Sequence, residues 1–145
     1  YAKMDTCVHT VDVETHGSAI VKFQNGVIGS LDLTNLNYPE DTEGSVTILG
    51  EKGTVKIGGK SMNQVLEWKF HSPIPDDEKV FDSSFTPPTV YGFGHQEFYD
   101  RVTHFLLNGG GKNGVITGKE GRKSVELLEA LYRSSEESRE ITLPL

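Results

Sequence analysis

Cysteine is nearly absent: Cys7 is the only one in 145 residues. That excludes an internal disulfide and any zinc site built on several thiolates. With no activating partner beside it, Cys7 reads as a small buried hydrophobe on a strand. Long apolar runs are missing too, and nothing approaches the ~18 residues of a membrane span. The opening YAKMDTCVHT has no basic segment followed by an apolar stretch, so no signal peptide is visible. It also lacks an initiator Met, and Tyr1 reads as an excision point within a longer chain. Positive charge is scarce: 14 Lys and Arg stand against 21 Asp and Glu, for a net charge of −7. The basic residues are scattered, which argues against nucleic acid or an anionic membrane as the partner. The expected location is cytoplasmic. Neither H-E-x-x-H nor a G-x-x-x-x-G-K-[ST] phosphate loop occurs.

What is present is a soluble, globular composition of one domain, with 35% hydrophobic and 24% charged residues. A chain of this length buries roughly 70% of the surface its unfolded form exposes. The first seventy or so residues read as strands. Residues 19–23 are apolar at 19, 20, 21 and 23, and Asn25-Gly26 leads into residues 27–33. Asn-Gly between two such runs predicts a hairpin with positive φ at both turn positions. Leu31 and Leu33 alternate with Ser30, Asp32 and Thr34, so one face is buried and the other polar. Residues 45–49 and 54–57 flank Gly50-Glu51-Lys52-Gly53, a second hairpin. Gly58-Gly59 marks a third turn, and Met62, Gln64, Leu66, Trp68 and Phe70 share one side of residues 62–70. Tight turns join antiparallel neighbours, so the sheet is expected to be mostly antiparallel. Residues 1–13 add a further strand, and residues 140–145 a short edge strand limited by Pro144.

Residues 71–89, with Pro73, Pro75, Pro87 and Pro88, read as loop. Two helices follow. In residues 95–107, Phe98, Val102, Phe105 and Leu106 fall on one face, and Asn108-Gly109 forms the exit. In residues 117–135, Thr117 and Glu120 have capping-box spacing, and Val125, Leu128, Leu131 and Tyr132 form the apolar stripe. The fold class is therefore α+β, a mostly antiparallel open sheet of about six strands with helices on one face.

Candidate chemistry is sparse. Gly109 to Gly114 spell G-x-G-x-x-G, but a helix precedes them, where a dinucleotide site needs a strand. Gly92-Phe93-Gly94 is a second near miss. Asp100 and His104 lie one helical turn apart with Glu97 nearby, which is either a tuned base or an ordinary wet face. His95 opens a helix after Tyr91-Gly92-Phe93-Gly94, where backbone N–H groups attract anions. Tyr91, His95 and Gln96 are thus candidate ligand contacts, with a cap and packing turn as the plain alternative. Asn35, Asn37 and Tyr38, past a strand end, are candidates to read a hydroxylated ligand, with simple turn formation as the alternative.

The residues GHQEFYDRVTHFLLNG, then TGKEGRKSVELLEALYRSS, then ITLPL close the chain after strands such as VKFQNGVIGSLDLTNLNYP and VTILGEKGTVKIGG. In that order they resemble the C-terminal domain of the glucose–fructose oxidoreductase / inositol dehydrogenase (Gfo/Idh/MocA) family. Within it, HQEFYDRV and NYPED look most like dehydrogenases acting on UDP-N-acetyl-glucosaminuronic acid. The resemblance covers nearly the whole chain. It implies a dihydrodipicolinate-reductase-like C-terminal domain of the glyceraldehyde-3-phosphate-dehydrogenase-like type spanning 1–145, with no Rossmann domain of its own. It implies NAD or NADP in a longer enzyme, held by an N-terminal Rossmann domain that also supplies the redox lysine. The Asp and His for proton transfer are expected from a helix preceding Tyr1. No catalytic, cofactor-binding or metal-ligating residue is therefore expected here, and no cofactor bound by this stretch alone. Substrate contact would fall to Asn35, Asn37, Tyr38, Tyr91, His95 and Gln96. Self-association through the sheet face is implied too, with Asp32, Thr34, Thr47 and Lys56 compatible with such a face. Two other readings stand beside this one: an autonomous, non-enzymatic α+β oligomerisation or binding module, and a hydrolase using Asp100 and His104.

Overall fold

The structure, a computed structural model, describes residues 1–8, 10–42, 44–89, 91–108 and 115–145. The chain divides into two compact units, Tyr1–Tyr38 with Ile116–Leu145, and Pro39–Val115. Among the described residues there are six strands, and every pairing is antiparallel.

In the first unit β1 (Ala2–Asp5), β2 (His16–Lys22) and β3 (Ile28–Thr34) form a sheet in chain order. β1 is far shorter than the strand expected over residues 1–13, and Cys7 beyond it is exposed rather than buried. The β2–β3 hairpin forms where Asn25-Gly26 places it, with a different turn. Gly26 alone has positive φ, at 88°, and its N–H donates to the Phe23 carbonyl at 2.9 Å. Asn25 keeps negative φ, so this is a type I turn followed by a left-handed glycine, the three-residue hairpin loop. Alternation sets the facing pairs, but the expected burial fails at Leu33, which is exposed, and the other face carries exposed Ile20 and Ile28. Ala19 faces Leu31 on the inner side, and Ser18 faces Asp32 on the outer side, its hydroxyl bonded to that carboxylate.

The long helix α2 (Gly118–Glu137) packs on this sheet. Of the expected stripe only Leu131 is buried. Leu127, Ala130, Leu131 and Ser134 turn inward, while Val125 is 65% exposed and Leu128 and Tyr132 are exposed as well. The spacing is equally helical; the deciding factor is what the sheet offers. Ala2, Ala19 and Leu131 make the small buried core, with Met4, Leu31 and Leu127 against it. Burying a leucine fully is worth about 1.5–3 kcal/mol. Small residues at 130 and 134 let the helix approach the edge strand β1. There the Ser134 hydroxyl accepts the Ala2 N–H at 2.9 Å and donates to the Arg139 carbonyl at 2.6 Å. Ser135 accepts the Met4 N–H at 2.9 Å.

Two further expectations fail in this unit. Thr117 makes no side-chain cap, and Glu120 pairs instead with Lys123 at 2.8 Å. Residues 140–145 form no strand; residues 140–143 line a groove together with residues 20–24 of the first unit.

In the second unit β4 (Val46–Gly50), β5 (Gly53–Gly58) and β6 (Gln64–Phe70) form another sheet in chain order, with a register shift at Lys56/Ile57. Glu51 and Lys52 make the β4–β5 turn, and Gly50 pairs with Gly53. A Cβ on Gly53 would stand 2.6 Å from the Lys69 carbonyl oxygen, so only glycine fits against β6. Trp68 and Phe70 share a face in a T-shaped contact, ring centroids 5.3 Å apart. The stretch after β6 is not all loop. It contains a 3-10 helix (Asp77–Ser83), held where the Asp77 carboxylate accepts from Trp68 Nε1 at 2.9 Å and from the Ile74 N–H at 2.8 Å. α1 (Gly94–Leu107) buries no residue fully; Val102 and Phe105 are half-buried, and Phe98 and Leu106 are exposed. Its expected exit at Gly109, like the run to Gly114, lies outside the described residues.

Ser134→Ala should lower stability by about 1–2 kcal/mol, because a buried N–H loses its acceptor. Chemical denaturation measures this; an unchanged midpoint would show that water replaces the hydroxyl.

Candidate functional site

The six candidate residues fall in both units. Asn35, Asn37 and Tyr38 belong to the first and Tyr91, His95 and Gln96 to the second.

The first group follows the end of β3. Its start is fixed by Thr15, only 2% exposed, which organises the loop before β2. The Thr15 carbonyl accepts from the Thr34 hydroxyl at 3.1 Å and from the Asn35 N–H at 3.2 Å. Its own hydroxyl accepts from the Cys7 N–H at 2.9 Å, and its N–H donates to the Asp5 carbonyl at 2.9 Å. The Leu36 N–H then donates to the Thr34 hydroxyl at 3.2 Å, a side-chain-closed turn. The Asn35 backbone is thus anchored while its side chain is exposed. Tyr38, at 92% exposure, presents its whole ring to solvent.

The second group follows the proline-rich stretch. Gly92 takes φ 63°, and its N–H reaches the Thr89 carbonyl at 3.3 Å. Phe93 stacks on Phe85 with centroids 5.7 Å apart. This reversal leaves Tyr91 76% exposed and starts α1 at Gly94, one residue earlier than the expected start at His95. The N-cap position is Phe93, which offers no side-chain acceptor, so no side chain caps the first-turn N–H groups near His95. Gln96 donates from Nε2 to Asp100 at 2.9 Å.

That last bond dissolves the Asp100–His104 pair. Asp100 is engaged by Gln96, His104 stands 3.2 Å from the Asn108 carboxamide, and Glu97 pairs with Arg101. These are neighbours along a wet helix face. Among the described residues no group of three or more His, Cys, Asp or Glu could hold a metal ion.

Two exposed pairs have shifted acid–base groups. The hydrogen bond from Tyr132 at 2.6 Å holds the Glu14 carboxyl below its ordinary range, and the same bond raises the Tyr132 hydroxyl. The hydrogen bond from Lys60 at 2.5 Å, aided by its charge, lowers Glu40. Glu40 in turn raises Lys60, with a smaller contribution from Asp41. Sequence reading missed both pairs. Gly58-Gly59 carried a turn signal that said nothing of Lys60, and nothing in spacing links Glu14 to Tyr132, 118 positions away.

A groove of about 590 Å³ lies within the first unit, lined by Phe23, Leu127, Leu131 and Leu143 among others. None of Asn35, Asn37 or Tyr38 lines it. A dinucleotide site of the Rossmann kind needs parallel strands joined by a helix. The described residues contain no parallel pair, so they do not fit that cofactor and no hydride-transfer step is assigned to them. No helix of the described residues is long and apolar enough to cross a membrane.

Comparison with known proteins places these features. Residues 5–143 match the C-terminal alpha/beta domain of the Gfo/Idh/MocA oxidoreductase family, and the chain belongs to that family. It is similar to the WlbA dehydrogenase of Bordetella pertussis, solved in complex with NADH and UDP-GlcNAcA. The two are 43% identical over 100% of this chain and 41% of that one, with a TM-score of 0.89. The WlbA dehydrogenase of Chromobacterium violaceum, solved with the same ligands, is 40% identical over 99% of this chain and 39% of that one, at a TM-score of 0.85. An oxidoreductase from Sinorhizobium meliloti, 19% identical, shares the fold over 94% of this chain and 43% of its own, at 0.69. No curated protein matches. The chain spans about two fifths of the length of the solved dehydrogenases it matches.

Tyr132→Phe should raise the Glu14 midpoint toward its ordinary value, read by NMR titration of that carboxyl. Glu14 is lowered and Tyr132 raised. The stabilisation from Glu14 is present above the ordinary carboxylate value and lost as pH falls through the lowered one. That from Tyr132 is present below the ordinary phenol value and lost as pH rises through the raised one. The bond therefore operates across neutral pH, and an unshifted Glu14 midpoint in the variant would exclude it in solution. Asp100→Ala with His104→Ala, by contrast, should leave any activity unchanged; a loss beyond about tenfold would return the pair to the chemistry.

Proposed function

We propose that this chain is the substrate-side domain of an NAD-dependent dehydrogenase acting on a UDP-linked N-acetylated uronic acid. One observation carries the proposal: 43% identity and a TM-score of 0.89 over the whole chain to a dehydrogenase solved with NADH and UDP-GlcNAcA. The redox centre then lies in the part of such an enzyme that this chain does not span. Hydride transfer needs a cofactor, because no side chain accepts a hydride. What this chain contributes is a wall that recognises the sugar nucleotide.

The six candidate residues suit that role. Asn35, Asn37 and Tyr38 offer carboxamides and a phenol on a loop whose backbone is pinned at Thr15. Tyr91, His95 and Gln96 sit where a glycine reversal exposes an aromatic ring and a helix opens without a side-chain cap. Uncapped N–H groups favour anionic oxygens, such as those of a uronate or a diphosphate.

Self-association is the second contribution. The outer face of the first sheet carries exposed Ile20 and Ile28 beside Ser18, Ser30 and Asp32. In the second sheet Val46 and Ile48 are exposed on one face, and Thr47 stands opposite Lys56 on the other. Such mixed surfaces suit contact with another copy.

The test is an assay of the longer enzyme encoded around this chain. NADH should form with UDP-GlcNAcA and NAD, while the stretch 1–145 alone should show neither turnover nor micromolar NAD binding. Tight NAD binding by 1–145 would sink the division of labour. Absence of turnover on any UDP-sugar acid, with a folded enzyme and bound cofactor, would sink the substrate class.

A further inference from the structure

The end of β3 presents the exposed side chain of Asn35, and the described bonds that place its backbone all lie within the first unit. The Asn35 N–H donates to the Thr15 carbonyl at 3.2 Å. One residue earlier, the Thr34 hydroxyl donates to that same carbonyl at 3.1 Å. One residue later, the Leu36 N–H donates back to the Thr34 hydroxyl at 3.2 Å. Asn35 is thus held at its own N–H and on both sides. Leu36 is half-buried, which fixes the far end of the turn. The carbonyl at the centre is fixed in its turn. Thr15 is 2% exposed; its N–H donates to the Asp5 carbonyl at 2.9 Å and its hydroxyl accepts the Cys7 N–H at 2.9 Å. The neighbouring Glu14 carboxylate accepts the Tyr132 hydroxyl at 2.6 Å, which ties the same stretch to α2.

Counting protons separates the roles of the two adjacent residues. A carbonyl only accepts and an N–H only donates, so the Thr34 hydroxyl gives its one proton to Thr15 and accepts one from Leu36. No proton is left on it for a ligand. The Asn35 carboxamide is different: it has no hydrogen-bond partner among the described residues. It offers two N–H donors and one carbonyl acceptor, the set that reads a sugar hydroxyl in either sense. Its direction follows from the backbone, because the allowed side-chain rotamers depend on φ and ψ. A turn that relaxes at Thr34 therefore re-aims Asn35.

We infer that Thr34 is a positioning residue for sugar-nucleotide binding: its hydroxyl closes the turn that aims the Asn35 carboxamide, and it acts through Asn35 rather than by contact with the ligand. This rests on the function proposed above. It goes further by separating the side chain that reads the ligand from the one that holds it in place.

The experiment uses the longer enzyme. Thr34→Val keeps a branched side chain suited to a strand and loses the hydroxyl. It should raise KM for UDP-GlcNAcA about three- to tenfold, the size expected for one hydrogen bond. KM for NAD and kcat should stay within about twofold, because uniform binding alone is lost. Thr34→Ser retains the hydroxyl and should bring KM back to within about twofold of the wild type. The deciding arm is a double-mutant cycle. Asn35→Ala should raise the same KM about tenfold. Thr34→Val added to it should raise KM no further, because no carboxamide remains to be aimed. Thr34→Ala run through the same cycle should give the same coupling, and it serves should the valine variant fold poorly. Equal losses from the Thr34 change in both backgrounds would make Thr34 a general structural residue and overturn the positioning role. An unchanged KM in Thr34→Val, or in Asn35→Ala, of an active enzyme would overturn it too, and leave the function standing. A folded, cofactor-bound wild type with no turnover on any UDP-sugar acid would overturn the function and this role together.

Discussion

Two serine hydroxyls close the edge of the first sheet. β1 pairs with β2 on one side only, so the N–H groups of Ala2 and Met4 point away from the sheet. An edge strand left in that state is a template for unwanted pairing, and a buried N–H without a partner is costly. Ser134 and Ser135 answer both, one residue apart at the end of α2 and more than 130 positions from β1. The requirement reaches further than two bonds. It sets which stripe of α2 faces inward and demands small side chains at 130 and 134. The first unit is one body because the two ends of the chain meet along that seam.

Much of this was legible beforehand, where local chemistry decides. Alternation marked β2 and β3, Asn25-Gly26 marked their hairpin, Gly53 marked the next, and the helix at 94–107 was expected to within a residue. The errors share a cause. Leu131 belongs both to the expected stripe with Val125, Leu128 and Tyr132 and to the buried one with Leu127, Ala130 and Ser134, and periodicity cannot choose between the two when a serine is among the buried residues. The capping box at Thr117 had the right spacing, yet Glu120 found a lysine one turn on. The 3-10 helix was invisible because its stability comes from Trp68, on a strand, bonding to Asp77. Tertiary partners decided the stripe and the 3-10 helix, and a local i,i+3 partner decided the cap. What anchors the Asn35 backbone was not legible: the Thr15 carbonyl accepts its N–H, a contact that only the fold brings about.

Membership of the oxidoreductase family and the lack of parallel strands among the described residues fit together. The Rossmann way of holding a dinucleotide, with backbone N–H groups and a helix start converging on a pyrophosphate, is built on parallel strands. An antiparallel meander offers different assets: strand ends and turns held at fixed spacing, from which polar side chains project. Recognition of a large, flexible, charged molecule benefits from such a frame, since each contact made by a preordered side chain avoids an ordering cost on binding.

Surface ion pairs contribute little to such a frame. An exposed pair such as Lys60–Glu40 contributes about 0–1 kcal/mol, too little to decide whether a domain folds. The fold therefore rests on the two sheets and on α2, and an exposed pair of this kind can be lost without unfolding either unit.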